Sequence, residues 1–175
     1  MDVKYPIGRP VLPEQVDMSH VATWIEDVEQ AATHLARAVK GLTEEQLDTP
    51  YRPEGWTVRQ VVHHLPDSHM MAYVNFRLGL TQDKPQVQAV DVDAWTALQD
   101  CLHGPIEPSL TLFAGLQARW ALLLHSLSEP EFHRTIITGG GGERSLWMLL
   151  AIYAWHGQHH VAHIASLRER MGWGE

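Results

Sequence analysis

Apolar residues recur at intervals of three and four through four long stretches of the chain, the repeat that lines one face of an α-helix. The first stretch carries Val21, Trp24, Ile25, Val28, Ala31, Ala32, Leu35 and Val39, with Ser19 expected as its cap and Gly41 as its stop. A capping box, "TVRQ" at 57–60, opens the second, which keeps helical periodicity to about Leu80. Pro66 lies inside that stretch and removes one backbone donor, so a kink is expected near the preceding turn. The third begins at Ser109 with "SLTLFAGLQARWALLLHSL", and the fourth runs from about Ser145 to Met171.

Between them the pattern breaks. "TEEQ" at 43–46 has capping-box spacing and predicts one short helical turn, and "DTPYRPEGW" reads as a loop. Residues 82–108 form a long connection with three prolines and a candidate short helix over 93–102. Gly139 to Gly142 lack the Gly-Lys-Ser/Thr ending of a phosphate loop and read as a hairpin tip. Four long helices with few strand signals predict an all-α four-helix bundle, a single domain over 1–175. The long connection between the second and third helices leaves room for a crossover.

Composition narrows the function. A chain of 175 residues with 45% hydrophobic content can bury a sizeable core, and 19% charged residues argue against disorder. A net charge of −8 without any basic block disfavours nucleic acid as a partner. The longest apolar run, which takes in 147–155, is about half of what spans a bilayer, so no membrane association is expected. The first residues lack the basic and apolar regions of a signal peptide, and Cys101 is the only cysteine, so a cytoplasmic protein is expected.

Twelve histidines change the picture, because seven of them fall in two windows, 63–69 and 156–163. Desolvating an unpartnered polar ring costs a few kcal/mol, and a shared cation would offset that cost directly. His156 and His160 stand four apart, as do His159 and His163, and residues so spaced are neighbours on one helix face. Two imidazoles one turn apart can reach one metal ion, but Gly157 stands where a zinc protease would carry its glutamate. A third ligand must come from another helix. The second helix offers His64, at the edge of its apolar stripe, and His69, in line with Val62 and Leu65, and spacing does not choose between them. His20, His34, His103, His125 and His133 read as ordinary surface or hydrogen-bonded histidines. The alternative to a metal is a hydrogen-bonded histidine seam.

Two segments, "YRPEGWTVRQVVHHLPDSHMMAYVNFRLGLT" and "YAWHGQHHVAHI", resemble the DinB-like superfamily, in the branch of metal-dependent hydrolases that includes bacillithiol transferases. The likeness runs from "YPIG" near the N-terminus to the final "RMGW". It implies a four-helix bundle whose metal is held by the second histidine of "VVHHL" and the first and fifth positions of "HGQHH", namely His64, His156 and His160. It also implies a homodimer.

Three neutral imidazoles without a thiolate or carboxylate would leave a divalent cation, zinc or nickel, with open positions. Such a position could activate a water for hydrolysis. It could equally hold a low-molecular-weight thiol as thiolate for transfer to an electrophilic small molecule, which is what the bacillithiol transferase resemblance implies. A metal-binding stress-response module without catalysis is the competing reading. Asp67, one turn from His64, is a candidate to accept that ligand's second ring N–H, with a solvated helix residue as the alternative. His159 and His163 are candidates to line the cavity or shuttle protons. Trp56, Trp120, Trp147 and Trp155 are expected in the core or pocket wall. Arg59 and Arg119 are candidates to hold an anionic thiol or substrate, and Cys101 is assigned no chemistry.

Overall fold

The computed structural model describes residues 2–174. Its elements in chain order are α1 (Met18–Val39), α2 (Glu44–Leu47), α3 (Val58–Thr81), α4 (Val92–Thr96), α5 (Gln99–His103), α6 (Glu107–His125), α7 (Glu129–Phe132), a hairpin of β1 (Thr135–Ile137) and β2 (Glu143–Ser145), and α8 (Leu146–Met171). The long helices α1, α3, α6 and α8 are the four that the apolar repeat predicts.

Local chemistry sets most boundaries. Thr57 and Gln60 form the predicted capping box at α3, and Thr43 and Gln46 form the one at α2. α1 starts earlier than Ser19. Asp17 caps it, because a carboxylate at that position reaches the free amides of both Ser19 and His20, and it also takes the Ser19 hydroxyl at 2.6 Å. These bonds hold the Asp17 carboxyl far below the usual carboxylate range. α6 likewise begins at Glu107 rather than Ser109, since Pro108 sits in the first turn, where its missing N–H leaves no gap in the ladder. α3 runs uninterrupted through Pro66.

The long connection resolves into α4 and α5, two short helices parted at Ala97 and Leu98. Its earlier part is tied to the hairpin: the Val87 amide donates to the Ile137 carbonyl at 2.8 Å, and Ile137 donates to Pro85 at 2.9 Å. The two strands pair antiparallel in the register Thr135 with Ser145, Ile136 with Arg144 and Ile137 with Glu143. Gly141 turns the tip with φ of 79°, a conformation that favours glycine.

Around the bundle, α1 packs on α8 and α6, and α3 packs on the same two helices from the other side. Consecutive helices α1 and α3 therefore stand diagonally, and the chain departs from simple up-and-down order. The close approach of α1 to α8 depends on Gly157, where an added Cβ would lie 3.2 Å from the Cβ of Ala31.

Two apolar clusters fill the interior. One gathers Val21, Ile25 and Val28 of α1, Ala72 and Phe76 of α3, Trp120 and Leu124 of α6, and Leu146, Leu150 and Ala154 of α8. The other gathers Ala31, Leu35 and Val39, then Val58, Val61, Val62 and Leu65, with Phe113, Ile164 and Leu167. On every long helix the two sets occupy opposite ends. Side chains of the middle turns, His64, His69, Gln117, His156 and His160, make a polar layer between them.

Candidate metal centre

Within that layer α3 contributes His64, and α8 contributes His156 and His160, one turn apart on one face. Their ring nitrogens converge. His64 Nε2 lies 3.2 Å from His156 Nε2, His160 Nε2 lies 3.1 Å from the same atom, and one ligand atom from each of the three falls within 4.8 Å of the others. Among the described residues this is the one group of three or more metal-ligating side chains so arranged. Pro66 does not move His64 out of reach.

The donor set fits a cation. Bonds of 2.0–2.1 Å to a tetrahedral metal put ligand nitrogens about 3.3 Å apart, close to the two short separations found. Burial holds the His64 imidazole down to about 4, with nearby Asp93 opposing that shift. Burial, and then the neighbouring imidazoles, keep His156 and His160 well below the ordinary histidine value. All three are thus neutral at pH 7, with lone pairs available.

Trp56 forms one wall. Its ring sits 4.6 Å from that of His64 and stacks on His160 at 6.0 Å, while its indole N–H donates to Asp93 Oδ1 at 3.2 Å. Both Trp56 and His156 keep some solvent exposure, so the cluster is not sealed. Of the other tryptophans, Trp120 is fully buried in the core, and Trp147 stacks on Trp24 away from the cluster. Trp155 stacks on His159 at 4.3 Å and donates to the Gly8 carbonyl.

His69 is not part of the converging group. It is completely buried one layer behind, with its Nε2 3.3 Å from His156 Nδ1. His159 and His163 face the N-terminal arm. His163 donates through Nε2 to the Lys4 carbonyl at 3.1 Å and stacks on Tyr51 at 3.9 Å, while His159 lies between Trp155 and Tyr5.

Three expectations are corrected. Asp67 makes no hydrogen bond to His64. Its electrostatic neighbours are Asp100 and His63, which stands four residues before it on the same helix face. His63 instead pairs with Ser109 Oγ at 2.7 Å. Arg59 has its donors committed to Glu44 at 2.5 Å, Asp48 at 2.7 Å and the Gly104 carbonyl at 2.9 Å, so it is a buried clamp on α2 and not an anion grip. Arg119 hydrogen-bonds Tyr73 on the exposed side of the bundle. Burial, and then the neighbouring Asp100 and Asp67, push the Cys101 thiol up to about 11.

Residues 27–164 match the profile of the DinB superfamily. The chain belongs to the DinB superfamily. Its relatives within it include proteins named "Putative metal-dependent hydrolase" from Geobacillus kaustophilus and Geobacillus thermodenitrificans, 48% and 46% identical over 172 residues, each aligned over 98% of this chain and 97% of the relative. One of the same description from Bacillus cereus is 43% identical over 177 residues, 98% of this chain and 99% of its own. Among solved structures, YfiT from Bacillus subtilis superposes with a TM-score of 0.96 at 40% identity, covering 99% of this chain and 100% of that one. YfiT is described as "a probable metal-dependent hydrolase with an unusual four-helix bundle topology". The diagonal placement of α1 and α3 is in keeping with that description. No helix among the described residues is long and apolar enough to cross a membrane.

Proposed function

We propose that this DinB-superfamily chain is a metal-dependent enzyme that holds one divalent cation, zinc or nickel, on His64, His156 and His160. It uses that cation to activate a low-molecular-weight thiol for transfer to an electrophilic small molecule. The observation that carries the reading is the convergence of three neutral Nε2 atoms from two helices with no thiolate or carboxylate among them. Structural zinc sites are closed by four protein ligands, whereas three leave room for a reactant.

A cation there would lower the pKa of a thiol or water in its open positions and so supply a nucleophile at neutral pH. The chain's own residues do the rest. α3 and α8 fix the three rings, Trp56 packs against His64 and His160 and limits water, and the partial exposure of His156 leaves a way in. In the transfer, the thiol sulfur bonds to the electrophilic carbon as the leaving group departs with its electron pair, and the thiol proton passes to solvent.

Hydrolysis is the second reading, favoured by the description shared by the relatives from Geobacillus and Bacillus. Both readings need the cation. Metal analysis of untagged protein supplied with zinc and nickel should give about one ion per chain. Thiol conjugation to a generic electrophile and ester hydrolysis, run side by side, should each be compared with His156→Ala. Metal far below one per chain ends the site, and activity unchanged in His156→Ala ends catalysis by it.

A further inference from the structure

Behind the converging nitrogens lies a second row of polar atoms that the proposed reaction does not use. His156 approaches the cluster through Nε2, so its proton must sit on Nδ1 if Nε2 is to offer a lone pair. The Nδ1 atom has one neighbour, His69 Nε2 at 3.3 Å. To accept, that nitrogen must be unprotonated, which forces the His69 proton onto its own Nδ1.

The chain of consequences continues into α6. His69 Nδ1 and Gln117 Oε1 are both buried, neither has a hydrogen-bond partner, and Gln117 is the neighbouring side chain that favours a proton on His69. The Gln117 amide cannot be turned round. Its nitrogen donates to the Val28 carbonyl of α1 at 2.8 Å, and a carbonyl accepts only from the NH2 side. Its oxygen is therefore the atom presented to His69. From Val28 through Gln117 and His69 to His156, one assignment of tautomers and amide orientation is consistent throughout, and the path touches all four long helices.

We infer that His69 and Gln117 are positioning residues for His156: together they lock its tautomer and ring angle so that Nε2 faces the cation. The inference rests on the metal reading above and extends it to side chains that never touch the ion. Metal-ligating histidines are commonly oriented by a carboxylate or a backbone carbonyl. Here a neutral imidazole takes that place, backed by an amide, and both side chains are buried. The packing agrees. The His69 ring is held edge-on by Phe113 at 5.0 Å, Tyr153 at 5.1 Å and Trp120 at 5.9 Å, so it has little freedom to tilt.

The test has two arms. In the full-length wild-type protein, nitrogen-15 NMR of the imidazoles should find His69 protonated at Nδ1 and His156 protonated at Nδ1, with and without zinc. In the second arm, cobalt(II) serves as the probe, and its visible spectrum and dissociation constant are read directly. His69→Phe removes the acceptor while keeping an aromatic ring in the slot. It should keep its far-UV signal and bind cobalt about 10–100-fold more weakly with an altered spectrum, as expected when an orienting partner is lost. Gln117→Leu should weaken binding in the same direction. His69→Gln, which returns an acceptor oxygen, should recover part of the loss.

An Nε2-protonated His69 in the wild type overturns the inference, as does a folded His69→Phe that binds cobalt with wild-type affinity and spectrum. If His69→Phe fails to fold, the NMR arm alone decides. Wild-type protein that binds neither cobalt nor zinc overturns the metal reading itself, an outcome separate from a wild type that binds while its variants match it.

Discussion

Acid should unfold the metal-free protein far from the range where carboxylates titrate. The folded His64 and His69 imidazoles are pushed down to about 4 and about 3, chiefly by burial. In the unfolded chain both return to about 6.5. A folded value below the unfolded one means that the unfolded state binds more protons, so stability is full above about pH 6.5 and falls as the pH drops toward the folded values. Between pH 7.5 and 5.5 each of these two groups costs about 1.3 kcal/mol, or nearly 3 kcal/mol for the pair, from the usual 1.36 kcal/mol per pH unit. His156, His159, His160 and His163 shift in the same direction and add to the loss. Asp27 and Asp67, raised by burial, act in the opposite sense. Against the about 5–15 kcal/mol that holds a typical domain together, the loss is large. The assay is urea unfolding of protein treated with a chelator, at pH 7.5, 6.5 and 5.5, followed by circular dichroism. An unfolding free energy that stays within about 1 kcal/mol across those three points would refute the reasoning. A His64→Gln protein should show a pH dependence shallower by roughly 1.3 kcal/mol.

Two further outcomes follow from packing and burial. Gly157→Val should destabilise the bundle by about 1–3 kcal/mol in chemical denaturation, because branched carbons would be forced against the Ala31 Cβ, already 3.2 Å from an ideal Cβ at that site. A wild-type midpoint would mean that α1 and α8 can separate at no cost. The Cys101 thiol, buried and pushed up to about 11, should react with a disulfide reagent at pH 8 at least a hundredfold more slowly than a free thiol, whose pKa is about 8.5. Adding guanidinium should bring it to the free rate, and fast reaction of the native protein would contradict its burial.

What the chain reveals before folding depends on how local the physics is. The four long helices were legible because each carries its own repeat and three carry side-chain caps, at Asp17, Thr57 and Ser145. The pairing of His156 with His160 was legible for the same reason, one helix and one turn. His64 against His69 was not. Both point into the interior of α3, and only the placement of α8 and α6 decides which meets the converging nitrogens and which lies behind them. Spacing alone puts Asp67 within a turn of His64, and only the packed fold shows its carboxylate beside Asp100 and His63. Gln117 left a signal that was passed over: a lone amide between Phe113 and Trp120 on the buried stripe of α6. The three-residue strands of the hairpin are too short to carry a repeat, and they form because the turn at Gly141 brings them together.

The polar layer between two hydrocarbon halves also bears on how the chain finds its alignment. Sliding any long helix by one turn, about 5.4 Å, would bring an imidazole or amide opposite leucine and phenylalanine and strand it without a partner. The layer thus acts as a registration mark that rejects slipped assemblies during folding. Either apolar half could then be repacked on its own, as long as that mark is left intact.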